Sequence, residues 1–165
     1  GDRVVTRDNG IQEISWVGQR TLEAAHFSVN SHLLPIHVSK GSLGRGLPER
    51  DMLVSQSQRI LVSSAQTMLQ FEEHEGLVAA KHLVNNRTIK LVKATSGTFV
   101  QVAFHRHEVI LANGCWMESF QPADRSLNGL GNTQRSELFE LFPDLAEKPA
   151  GKRDGSKGMI LSSRP

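Results

Sequence analysis

The chain of 165 residues contains no tyrosine, and its aromatic content is only 5%. Single-stranded nucleic acid is bound largely by stacking bases on aromatic rings, so that platform is missing. The net charge is only +2, and the lysines and arginines are scattered rather than gathered into the stripe that neutralises a phosphate backbone. Nucleic acid is therefore not an expected partner. Nor is a membrane, because no apolar run approaches the roughly 20 residues that cross a bilayer as a helix. No signal peptide is recognisable at residue 1. Cys115 is the sole cysteine, which excludes an internal disulfide framework and any zinc site built from several thiolates. What the chain does have is the balance of a folded protein: 38% hydrophobic and 22% charged residues. Its length suits one core with a tail.

Short β-prone runs follow one another along the chain. Arg3–Thr6 and Ile11–Val17 flank Asp8-Asn9-Gly10, a hairpin signal because Asn and Gly tolerate the positive φ of tight turns. Leu33–Val38 alternates on strand spacing, and residues 41–48 form a loop punctuated by three glycines and a proline. Met52–Val54 and Ile60–Val62 enclose the polar stretch Ser55–Arg59. Leu77-Val78 opens another element, Ala79–Leu83 fits one helical turn, and Asn85-Asn86 turns into the alternating Thr88–Lys93. Thr98–Phe104 and Glu108–Ala112 are further strands, and Asn113-Gly114 turns the chain into Cys115–Phe120. Such spacing predicts an all-β fold. One helix is expected near residues 132–142, capped by Asn132 or Thr133, carrying Leu138, Phe139, Leu141 and Phe142, and stopped by Pro143. The expected organisation is a β domain over 1–125, a helical extension over 126–147 and a flexible tail over 148–165. Gln58–Ser63 also echoes His107–Ala112 in pattern, as expected of two related β subdomains about a pseudo-twofold axis.

Three stretches carry a family resemblance. Gly1–Thr6 resembles the "GDxVxT" that ends the first block of Hint domains, the self-processing fold of hedgehog C-terminal domains and inteins. Met52–Leu61 resembles the second block, where a Ser/Thr-x-x-His motif lies between short apolar strands. Val100–Gly114 resembles the last block, in which a strand leads to a histidine followed by "xANG". The stretch Arg106–Phe120 is similar to a Hint subfamily of large bacterial proteins, many with calcium-binding secretion repeats. The resemblance spans about residues 1–125. It implies a disc of short strands and hairpins, no cofactor, and a secreted or cell-surface setting in a larger protein. It also implies a reaction on the chain's own upstream polypeptide. A cysteine or serine attacks the preceding carbonyl, the peptide becomes a thioester or ester, and another nucleophile receives the acyl group. The site must hold the scissile peptide, stabilise its oxyanion and protonate the leaving nitrogen. Carried over position by position, the site residues are Ser55, Gln58 and His107.

The sequence departs from the family's pattern at three places. The nucleophile is expected about one hairpin's length upstream of Gly1, so the 165 residues alone are expected to be inactive. Gln58 stands where the family has histidine, and an amide cannot accept and return a proton near neutral pH. A lost proton carrier of this kind costs about 10²–10⁴-fold in rate. Glu118 and Ser119 stand where an intein ends in His-Asn, so splicing is not expected, and residues 10–49 hold no aspartate to assist sterol transfer.

Other readings stay open. Ser55 and Gln58 also suit plain turn positions, and His107 suits a strand histidine bonded to backbone. His105 and His107, two apart and so on one face if in a strand, fit two ligands of a metal site lacking an evident third. Cys115 reads either as a second nucleophile or as a small buried hydrophobe. Beside self-processing, two further classes remain: a degenerate Hint scaffold kept for contacts within a multidomain protein, and a metal-binding domain.

Overall fold

The computed structural model describes residues 1–63, 76–119, 137 and 139–142. Strands β1 (Arg3–Val5), β2 (Ile11–Glu13) and β3 (Trp16–Glu23) lead into helix α1 (Ala24–Val29) and a 3-10 turn (Ser31–Leu33). Then come β4 (Ile36–Val38), β5 (Met52–Val54), β6 (Arg59–Val62), β7 (Gly76–Ala79), a second 3-10 turn (Ala80–His82), β8 (Ile89–Leu91), β9 (Ser96–Ala103), β10 (Val109–Ala112) and β11 (Cys115–Glu118). The fold is all-β, as the spacing predicts. The strands pair antiparallel into a β1-β2 hairpin, a long β3-β9 ribbon, a three-stranded sheet β5-β4-β8 and a four-stranded sheet β10-β11-β6-β7.

Both expected hairpins form. Gly10 takes a φ of 65° after β1, and Asn113 and Gly114 take 53° and 77° between β10 and β11. Only Gly114 suits that place, since a β-carbon there would lie 2.8 Å from Leu47 and 2.9 Å from Glu49. The first hairpin docks on β10: Arg7 N–H donates to the Val109 carbonyl at 2.8 Å, and Asn9 Nδ2 donates to the buried Glu108 carboxylate at 2.9 Å.

Three expectations need correction. The run Ile11–Val17 is not one strand: after Glu13 the Ile14 N–H donates to Asp2, whereas Ser15 N–H donates to Ala103. The chain changes partner there, and Trp16 begins the long β3. The strand expected over Leu33–Val38 shrinks to Ile36–Val38, because Pro35 has no N–H for a ladder and Leu33 belongs to a 3-10 turn. His105 and His107 do not share a strand face, because β9 ends at Ala103 and residues 104–108 form a bend. Helix α1 lies where the apolar pattern gives no period. A capping box between Glu23 and His26 closes its first turn instead.

Two crossings reflect the echo seen in the sequence. β5 belongs to the three-stranded sheet, and β6, reached through residues 55–58, belongs to the four-stranded one. β9 belongs to the long ribbon, and β10, reached through residues 104–108, belongs to that same four-stranded sheet. Each polar connection thus delivers its residues to one sheet.

Ile36, Val38, Ile60, Val62, Val78, Ala80, Ile89, Cys115 and Met117 fill the core between the three- and four-stranded sheets. Ile36, Val38 and Ile60 are fully buried, and each contributes about 1.5–3 kcal/mol relative to exposure. A second core gathers Leu22, Phe27, Leu33 and Leu141. Of the expected C-terminal helix, Glu137, Phe139, Glu140 and Leu141 are helical. Its capping residues 132 and 133, Leu138, Pro143 and the tail 148–165 lie outside the described residues. The helix end is fastened to β3: Arg20 Nη1 donates to the Leu141 carbonyl at 2.9 Å, and Trp16 meets Phe142 edge-on with ring centroids 5.6 Å apart. Gly18 makes that contact possible, because a β-carbon there would sit 2.3 Å from the Trp16 ring.

Candidate functional site

Residues 55–58 have few apolar side chains to anchor them, so hydrogen bonds fix their shape. Gln58 N–H donates to Ser55 at 3.2 Å, closing a turn. The 3-10 turn after β7 pins it from one side, with Ala80 N–H on the Gln58 carbonyl at 2.9 Å and Lys81 N–H on the Gln56 carbonyl at 3.0 Å. On the other side Gln56 Nε2 donates to the carbonyls of Ser31 and Leu34, each at 3.0 Å. The turn borders a cleft of about 260 Å³ whose polar lining includes Ser55, Ser57, Gln58 and Glu137, with Thr98 and Val100 of β9 among the residues opposite.

Glu118, at the end of β11, joins the two sequence-predicted regions. Its carbonyl accepts a hydrogen bond from Gln58 Nε2 at 3.0 Å, and its carboxylate accepts one from His107 Nε2 at 2.7 Å. The Arg59 guanidinium forks onto the same carboxylate through Nε and Nη2. The Glu118 side chain is 2% exposed, Arg59 20% and His107 32%, so the charge is buried and its partners reach solvent. Burial pushes the Glu118 carboxyl up, but the hydrogen bonds and charges of His107 and Arg59 outweigh it and hold the group below its ordinary value. Gln58 Nε2 also donates to the Arg59 carbonyl at 3.1 Å. Both amide hydrogens are therefore spent on main-chain carbonyls, and the remaining hydrogen-bonding atom of the Gln58 side chain is the acceptor Oε1.

A second acid faces the turn. Glu137 is 8% exposed, and its Oε2 accepts a hydrogen bond from Ser57 N–H at 3.2 Å. Burial pushes its carboxyl above the ordinary value against the opposing pull of the Ser57 and Ser55 hydroxyls, the Ser57 N–H and the charge of His32. Ser119 is built into the scaffold: its N–H donates to the Glu108 carbonyl at 2.8 Å, and its hydroxyl accepts from Glu108 N–H at 2.9 Å.

The structure thus brings Ser55 and Gln58 to one cleft. His107 is linked to Gln58 through Glu118 and does not line the cleft. Sequence reasoning passed over Glu118 except as a departure from an intein ending. The signal was an acidic residue directly after Met117 in an apolar strand, a place where a buried charge requires partners. Glu137 carried no such signal, because its partners lie 80 residues earlier in the chain. Cys115 is buried in the first core, and burial, followed by the nearby charge of Glu49, pushes its thiol pKa up. Both effects disfavour the reactive thiolate and fit the hydrophobe reading. Among the described residues, no three His, Cys, Asp or Glu side chains gather as metal ligands. Likewise, no helix is long and apolar enough to cross a membrane.

No curated protein and no solved structure matches the chain. A family profile does: that of the Hint domain matches residues 1–124, which include β1 to β11 and both crossings. The chain belongs to the Hint domain family.

Proposed function

We propose that residues 1–119 hold the site of a Hint-type self-processing reaction, an intramolecular N-to-S or N-to-O acyl shift that leads to self-cleavage. The observation that carries this reading is the Glu118 junction: one residue holds Gln58 through its carbonyl and His107 through its carboxylate, beside a cleft containing Ser55. In this proposal the scissile peptide lies upstream in the same polypeptide and its bond enters the cleft. Gln58 Oε1 accepts the scissile N–H and aligns it, and the Ser55 hydroxyl supplies a polar contact to the reacting carbonyl. His107 acts in a narrower way than its motif implies, by keeping Glu118, and through it Gln58, in place. The nucleophile in this proposal is the Cys or Ser that follows the scissile bond. The setting proposed from the resemblance is a secreted or cell-surface bacterial protein.

One observation favours a second reading, a non-catalytic scaffold. Gln58 replaces an imidazole and spends its amide hydrogens on the fold itself. The two readings separate when the chain is joined to its natural upstream residues and incubated with hydroxylamine, which captures thioesters and esters. Self-processing predicts hydroxylamine-dependent fragments by intact mass, abolished when the upstream Cys or Ser becomes Ala. An intact chain despite an upstream Cys or Ser supports the scaffold.

A further inference from the structure

Glu137 lies beyond residue 124, where the family match ends, yet its side chain is nearly enclosed at the turn that carries Ser55 and Gln58. A buried carboxyl is costly unless it has partners. Among the described residues, the side chain whose charge bears on it is His32, which is itself hydrogen-bonded to Glu140 at 2.5 Å. The main-chain N–H of Ser57 and the serine hydroxyls hold the group instead, and it borders the open cleft. Its helix cannot drift away, since Leu141 sits in the second core, Phe142 packs on Trp16 and Arg20 grips the Leu141 carbonyl. The same turn lacks a proton-transferring side chain at position 58.

We propose that Glu137 is the proton carrier of the Ser55–Gln58 cleft, a catalytic residue supplied from outside the family's matched span; the role rests on the acyl-shift reading above. In that shift the hydroxyl or thiol of the residue after the scissile bond attacks the carbonyl carbon. A new C–O or C–S bond forms, and the C–N bond breaks. The protonated Glu137 carboxyl gives its proton to the departing nitrogen, and the resulting carboxylate takes the proton of the attacking hydroxyl or thiol. Protons and electron pairs balance with no further reactant. Burial raises the carboxyl's pKa, so the protonated form persists nearer to neutral pH than for an exposed glutamate.

The test uses the chain extended by its natural upstream residues, with hydroxylamine-dependent cleavage followed by intact mass from pH 5 to 9. Glu137→Gln keeps the size and an acceptor for Ser57 N–H but cannot carry the proton. It is expected to slow cleavage by about 10²–10⁴-fold and to remove a limb of the pH profile. Glu137→Asp is expected to restore part of the rate together with that limb, at a shifted pH. Wild-type rate and profile in a folded Glu137→Gln chain overturn the proposal and leave the acyl-shift reading standing. Should Glu137→Gln fail to fold, Glu137→Asp decides: a shifted limb supports the role and an unchanged profile overturns it. No cleavage by wild type and variants alike, with an upstream Cys or Ser present, overturns the acyl-shift reading and the role with it.

Discussion

Replacing Glu118 by glutamine keeps the side chain's shape and removes the charge that holds Arg59 and His107. Breaking a buried ion pair from one side costs about 3–5 kcal/mol, because the other charge stays behind without its partner. Here the loss is smaller, since Arg59 keeps 20% and His107 32% of its side-chain exposure and water takes over part of their solvation. An expected loss of about 2–3 kcal/mol follows. Urea unfolding at pH 7 reads it directly: with a slope of about 1–3 kcal/mol per molar, the midpoint falls by roughly 0.7–3 M at unchanged slope. The effect also has a defined pH dependence. The folded Glu118 carboxyl titrates below its ordinary value of 4.5, so its stabilisation is fully present above 4.5 and fades as pH falls through the lower folded value. The gap between wild type and Glu118→Gln should therefore be widest above pH 5 and close in strong acid. A variant within about 0.5 kcal/mol of wild type at pH 7, the size of an ordinary surface change, refutes the view that Glu118 holds the site together.

Glu137 should behave oppositely, because its folded carboxyl titrates above the ordinary value of 4.5. Its stabilising share is present below 4.5 and is lost as pH rises through the folded value, so Glu137→Gln gains stability relative to wild type between pH 4 and 8 in the same urea assay. Cys115, buried and with a raised thiol pKa, should react with a maleimide at least a hundred times more slowly in the native chain than in urea, as scored by intact mass. Gly18→Val should cost about 1–3 kcal/mol by overpacking, since even a β-carbon would meet Trp16 at 2.3 Å and Phe142 at 3.0 Å. A thermal melt should show it.

How much of this was legible depended on whether the deciding contact was local. The turns at Gly10 and Asn113-Gly114 announce themselves because positive φ demands particular residues at fixed places. The strands at Met52–Val54, Ile60–Val62 and Glu108–Ala112 were legible as apolar runs between polar stretches, and their order identified the family. The long β3 was hidden, because Trp16–Glu23 carries Gly18 and alternates weakly and is held by eight pairings with β9 some 80 residues away. The site divides the same way. Ser55 and Gln58 follow from a local motif. Glu118 and Glu137 matter through what lies across the fold from them, and neither spacing nor composition encodes that. Glu118 was even discounted, because a family comparison asks which residue is missing at a position and not what the residue present is bonded to.

The central claim is that the cleft between residues 55–58 and β9 is where the acyl shift takes place. Its most direct test is the intact-mass time course of the chain carrying its natural upstream residues, beside the same chain with Ser55→Ala and Gln58→Leu together. These changes remove the hydroxyl, the Oε1 acceptor and the two Nε2 hydrogen bonds to the Arg59 and Glu118 carbonyls, and leave the fully buried Ile36, Val38 and Ile60 untouched. The account predicts that cleavage of the double variant falls by about a hundredfold or more while its far-ultraviolet circular dichroism matches wild type. Cleavage at the wild-type rate in a folded double variant would contradict it.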